Sequence, residues 1–372
     1  MSSRPSDTFL LVDALRGVAA LGVVAFHASL SVLRNHPELA SHPPALLAAM
    51  RYGALGVEVF FVLSGFCIAT AIAKTLDTGR TPVDYAKARL RRILPPYWAT
   101  LAITLAAVAG MRPVVAAGWV SRSSLADQAA RLDPATFAAN IGLVQVPLHL
   151  PSIVSVSWTL SYECAFYAVL GALVFPFARA AGPRRFAPVH IATIGSLVWT
   201  WWPGGRPGWP MDLWPAFGAG VAVHDILSRS KDDRPAWLGL ATLCAVGTLA
   251  GLRHPVGLEP REPIPFVVAA GATVLLLLLA RRSDRRTGKW PILAMLRRVG
   301  TFSYSLYLVH FLCIGLVGQV LGRARLPTTM WWIEFLAMAL ASVAAAWGFH
   351  VLVERRFLSS SARTSSAPGS PR

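Results

Sequence analysis

Hydrophobic positions run along this chain in long blocks of about 20 residues, and the polar positions gather between them. Apolar windows of bilayer-crossing length fall at 11–33, 55–73, 94–112, 157–178, 187–203, 212–228, 235–252, 264–281, 300–322 and 330–353. The pattern predicts an all-α fold, a polytopic transmembrane helix bundle of about ten spans. Lys and Arg test that count independently, because they collect on the cytoplasmic connections of membrane proteins. With residue 1 placed inside, 24 of the 35 Lys and Arg fall on inner connections, 10 on outer ones, and Arg16 lies within the first span. Both termini are therefore expected in the cytoplasm. Two connections exceed a turn: an outer stretch from Arg112 to Val156, expected to be partly helical and to lie on the membrane, and a basic inner loop from Arg281 to Arg298. Residues 1–357 form the expected membrane domain. Residues 358–372, small and polar with two prolines, are expected to be a disordered cytoplasmic tail.

Composition agrees. Of 372 residues 55% are hydrophobic and 14% charged, too little charge to coat a water-soluble protein of this size. The net charge of +17 is scattered between apolar blocks rather than gathered on one patch, which argues for membrane topology and against nucleic acid. Cys67, Cys164, Cys244 and Cys313 stand singly in separate apolar segments, with neither metal-ligand nor redox spacing, and read as small buried hydrophobes.

Against that background, ionisable residues inside apolar windows carry the chemical information, because each is costly to place there. The first window holds Arg16 and His27. Eleven residues make about three helical turns, so the two share one face, roughly 16 Å apart along the axis. On residues alone, a functional path and simple snorkelling to the two interfaces are both open. The second window carries Glu58 near its outer end and Ser64-Gly65 near its middle. Such a pair serves helix packing or a cavity. Arg89, Arg91 and Arg92 precede Pro95-Pro96, read as a break at a helix start; they are topogenic charge or a phosphate site. Glu163, in Ser157-Trp-Thr-Leu-Ser-Tyr-Glu163, is expected at a depth comparable to His27, where a carboxylate would orient an imidazole base. Ser303, Tyr304 and Tyr307 lead to His310 at about mid-membrane, as cavity lining or inter-helix glue, and Glu354-Arg355 reads as an anchoring salt bridge.

Taken together and in this order, Arg16-x10-His27, GVEVFFVLSGF at 56–66, Arg89-Leu-Arg-Arg92, SWTLSYE at 157–163 and SYSLYLVH at 303–310 resemble acyltransferase family 3, polytopic membrane proteins that include bacterial O-acetyltransferases of carbohydrates. The resemblance spans the whole transmembrane core. It departs at Glu58, where the family more often has Asp. It implies a multi-pass enzyme of the bacterial inner membrane that moves an acyl group from cytoplasmic acyl-coenzyme A, with acetyl-coenzyme A as first choice, to a hydroxyl of a carbohydrate or glycolipid acceptor outside, without a metal. In that scheme His27 is the general base, Glu163 orients it or contacts the acceptor, and Arg16, Arg89 and Arg92 hold the donor's phosphates and pantetheine. Ser64 and Gly65 bound the space for the acyl chain. The competing class is a transporter or flippase, in which buried His, Glu and Arg serve a proton relay; it lacks support from duplicated halves in the sequence.

Overall fold

A computed structural model describes residues 10–116, 133–178, 185–201, 207–228, 271–275 and 290–358. Eleven helices are named here in chain order: α1 (Leu10–Asn35), α2 (Ala45–Met50), α3 (Gly56–Asp77), α4 (Pro82–Ala116), α5 (Pro134–Ile141), α6 (Trp158–Val174), α7 (Ala187–Trp201), α8 (Trp214–Ser228), α9 (Pro291–Thr301), α10 (Ser303–Ala324) and α11 (Trp331–Leu352). No strand occurs among the described residues. Among the described residues, six helical stretches are long and apolar enough to cross a membrane: Leu10–Asn35, Ala45–Asp77, Pro82–Met111, Ser155–Phe177, Ser303–Ala324 and Thr328–Arg356. The expected fifth and sixth spans correspond to the 15-residue helices α7 and α8. The expected seventh span, all but 271–275 of the eighth, and the tail from residue 359 lie outside the described residues.

Two expectations change. The expected third span at 94–112 begins instead at Pro82, and Pro95 and Pro96 sit inside one continuous helix rather than at its start. Arg89, Arg91 and Arg92 are therefore helical residues two to three turns in, away from a helix N-terminus. Neighbouring groups in a bundle re-satisfy the carbonyls that prolines free, so the helix continues. The inner basic loop also contains an unexpected helix, α9, whose face packs on α1. There the backbones touch: a Cβ on Gly17 would lie 2.1 Å from the Leu296 oxygen, and one on Gly300 1.8 Å from the Asp13 oxygen.

Two further contacts position the site. α3 crosses α8 at Gly65 and Gly220, where a Cβ would meet the Phe217 and Val62 carbonyl oxygens at 2.0 Å each. Phe217 then stacks on Phe166 of α6 with ring centres 4.1 Å apart and lies 4.6 Å from Phe61 of α3. α10 runs parallel to α1 in a fixed register. Asn35 Nδ2 donates to Gly318 O at 3.0 Å, and His27 meets His310 at the same sequence offset of 283.

Candidate active site

Between α1, α3, α4, α6 and α10 lies a cavity whose empty space, its open mouth included, is about 860 Å³. Its walls are mostly apolar and aromatic, from Val57, Phe60, Phe61, Leu160, Tyr304 and Tyr307 among others, and its polar groups are few. Arg16 enters from α1; Arg89 and Arg92, three residues apart on one face of α4, enter beside it, while Arg91 on the same helix faces outward. Arg89 Nε is buried with no hydrogen-bond partner among the described residues. Three cations thus line one mostly apolar chamber, where a desolvated anion would find charge-assisted donors.

Glu163 lines the same cavity, within electrostatic reach of Arg16. Its Oε1 accepts from Ser64 Oγ at 2.9 Å and from the Tyr167 hydroxyl, one helical turn along α6, and the two hydroxyls lie 3.3 Å apart. Two donors on a single oxygen fix the carboxylate's orientation within the cavity wall. Tyr307 closes the same wall through its hydroxyl, which donates to Val156 O at 2.8 Å and lies 2.6 Å from Thr159 Oγ1, while the Tyr304 hydroxyl donates to Ile93 O at 2.9 Å.

His27 is placed differently from expectation. The cavity lining contains Arg16, Ser64, Arg89, Arg92 and Glu163 but stops short of His27. Beyond Tyr307, whose ring centre is 5.9 Å from that of His310, His310 Nε2 lies 3.2 Å from His27 Nδ1. The group bonded beside the His27 ring is thus a second imidazole, and the bonds that hold Glu163 go to hydroxyls. Gly65 is absent from the lining as well; it serves the α3–α8 crossing, where its missing Cβ admits the Phe217 backbone. Of SYSLYLVH, Ser303, Tyr304 and Tyr307 line the cavity.

Glu354 turns inward, accepting from Ser305 Oγ at 2.5 Å and pairing with His350 Nδ1 at 2.8 Å, in place of the expected surface pair with Arg355. Glu58 is buried in the first turn of α3, where a helix N-terminus favours negative charge. Sequence reasoning passed over three groups. Asp13 lies within electrostatic reach of Arg16, Arg297 and Arg92. Cys67 lines the cavity rather than sitting sealed in a core, within reach of Arg16. Tyr167 carried a signal, since it follows Glu163 by one turn.

Comparison with known proteins fits this arrangement. The acyltransferase 3 family, described as an acyltransferase domain, matches residues 10–351. "Acyltransferase MdmB" of Streptomyces mycarofaciens is 29% identical over 376 residues, covering 91% of this chain and 89% of that protein. "Exopolysaccharide production protein ExoZ" of Rhizobium meliloti is 28% identical over 328 residues, covering 82% and 90%. "Protein 2 in picA locus" of Rhizobium radiobacter is 39% identical over 107 residues, 28% of this chain and 49% of that protein. No solved structure matches. A multi-helix membrane bundle, a cavity that joins arginines to a held carboxylate, and a family match along nearly the whole chain lead to one statement: the chain belongs to the acyltransferase 3 family of membrane acyltransferases.

Proposed function

We propose that this protein transfers an acyl group, acetyl in the first instance, from cytoplasmic acyl-coenzyme A to a hydroxyl of a carbohydrate or glycosylated acceptor on the outer face of the bacterial inner membrane. The observation that carries the proposal is that Arg16, Arg89 and Arg92 line one mostly apolar cavity together with Glu163. Coenzyme A needs cations for its phosphates and an apolar slot for its pantetheine and acyl chain, and the lining of this chamber supplies both. The positive-inside distribution of Lys and Arg supports a cytoplasmic start for the helix that carries Arg89 and Arg92. The exopolysaccharide named in one relative, and the acyltransferase named in another, support a hydroxyl-bearing acceptor of the secreted or surface kind.

In the reaction His27 removes the proton from the acceptor hydroxyl as that oxygen attacks the thioester carbonyl. The carbon–sulfur bond breaks, and the departing thiolate takes the proton. Glu163, held by Ser64 and Tyr167, accepts a hydrogen bond from the acceptor and orients it. The arginines keep the donor in place while the carbonyl reaches the attacking oxygen.

The test is mass spectrometry of cell-envelope glycans and secreted metabolites from cells carrying wild-type protein, the His27→Ala variant or no gene. Wild type is expected to add one acyl mass to a discrete species, and the other two to lack it. An acylated product that persists in His27→Ala cells containing correctly inserted protein would remove His27 from the mechanism.

A further inference from the structure

The two imidazoles that meet between α1 and α10 constrain each other's protons. His27 Nδ1 lies 3.0 Å from Val23 O, and His310 Nδ1 lies 3.0 Å from Leu306 O, each the carbonyl one turn earlier on its own helix. A carbonyl oxygen only accepts, so Nδ1 must be the donor in both rings. A neutral imidazole has a single N–H, so Nε2 carries the lone pair in both. His310 Nε2 sits 3.2 Å from His27 Nδ1. Assigned from this bonding, the His310 lone pair accepts from the same His27 N–H that faces Val23, and the basic electron pair of His27 is placed on Nε2.

The surroundings hold this arrangement. His310 and Val23 are buried, at 0% and 2% exposure. Phe26 and Phe311 set their rings edge-on to His27, with centres at 4.9 and 5.4 Å, and restrict its tilt. Val23 O alone is one acceptor; His310 supplies the second on the same side of the ring, which penalises both the alternative tautomer and a flip about the Cβ–Cγ bond.

We propose that His310 is a positioning residue that locks His27 in its Nδ1–H tautomer, so that Nε2 is the nitrogen that takes the acceptor's proton. The proposal rests on the reading of His27 as general base. It gives an imidazole the orienting duty that a carboxylate performs in other base pairs, and it accounts for a fully buried histidine outside the lining of the cavity described above.

Partner groups of this kind change activity by about 10- to 100-fold when removed. The experiment compares wild type with His310→Phe, His310→Gln and His27→Ala in full-length protein labelled with ¹⁵N-histidine. Steady-state transfer is measured beside nitrogen NMR, with the His27 resonances assigned by their loss in His27→Ala. Wild type is expected to show His27 protonated at Nδ1. His310→Phe is expected to mix the two tautomers and to lower kcat by about 10- to 100-fold with KM for acyl-coenzyme A unchanged. His310→Gln, whose Oε1 presents an acceptor where Nε2 was, is expected to restore the tautomer and most of kcat; it also carries the test if the Phe variant fails to fold. A His27 tautomer and kcat unaffected by His310→Phe, or His310→Gln protein that is folded yet has lost the Nδ1–H form, would overturn the proposal. Full activity in His27→Ala would instead overturn the general-base reading on which it stands.

Discussion

Replacing Gly65 with alanine would place a methyl carbon 2.0 Å from the Phe217 carbonyl oxygen and 2.9 Å from its carbon. Ordinary contact begins at 3.4 Å, so α3 and α8 would have to part by about 1.4 Å at this crossing. The atom in the way is backbone in a helix interior and has no rotamer by which to give. Overpacking of this kind costs about 1–3 kcal/mol, while the Gly-to-Ala exchange itself favours a helix by up to about 1 kcal/mol. The two contributions can be separated. Gly348 on α11 has nothing within 4 Å of a built Cβ, so Gly348→Ala reports the propensity gain without the clash. The strain also propagates, because Phe217 rests on Phe166 and on Phe61, and Phe61 forms part of the cavity wall. Thermal unfolding of the purified variants in one detergent should place Gly65→Ala below wild type and Gly348→Ala at or above it. Gly65→Ala should also bind acyl-coenzyme A more weakly. Equal or higher melting temperatures for both variants would refute the claim that the helices touch at Gly65.

Other consequences are as direct. Glu163→Gln keeps the shape of the cavity wall and removes its charge; turnover measured with labelled donor should fall about 100-fold, the scale of a lost charged contact in proton-transfer chemistry, and wild-type turnover would take the carboxylate out of the reaction. Arg89→Ala and Arg92→Ala should each weaken donor binding by about tenfold, less at high salt, as read by titration calorimetry, while Arg91→Ala, on the outward face, should leave it unchanged. At the start of α5 the Asp133 carboxylate accepts from Thr136 Oγ1 at 2.6 Å and from Thr136 N at 2.9 Å, and these bonds hold its pKa below the ordinary 3.8. A lowered folded pKa means that the stability it adds is complete above the unfolded value and is lost as pH falls through the folded one. Thr136→Val removes the hydroxyl donor, so amide exchange in α5 should accelerate at a higher pH than in wild type; an unchanged midpoint would refute the assignment.

Much of the site was legible because ionisable groups in apolar windows are expensive and therefore rare. That cost singled out Arg16 and Glu163, and the basic cluster before Pro95-Pro96 drew attention to Arg89 and Arg92; all four line one cavity with Ser64. Inter-helix register was not legible. The sequence reading set His310 at about mid-membrane on a span starting at residue 300 and did not bring it beside His27. α10 begins well above the start of α1, however, and the offset shared by the His27–His310 and Asn35–Gly318 contacts makes the two rings level. Pro95-Pro96 read as a break because proline removes backbone donors, a loss that a helix packed in a bundle tolerates. Gly65 illustrates a third limit: glycine marks a close approach, and sequence does not say whether a ligand or a helix makes it. The neighbour is α8.

The central claim is that a donor held by the arginines delivers its acyl group across the bundle to an acceptor on the far side. It is tested most directly in proteoliposomes of fixed orientation, with labelled acetyl-coenzyme A supplied only on the side carrying Arg89 and Arg92 and the acceptor only on the other. Label should pass to the acceptor with wild-type protein, weakly with Arg89→Ala/Arg92→Ala, and not at all with His27→Ala. Transfer that requires donor and acceptor on the same side, or that the arginine pair leaves untouched, would contradict it.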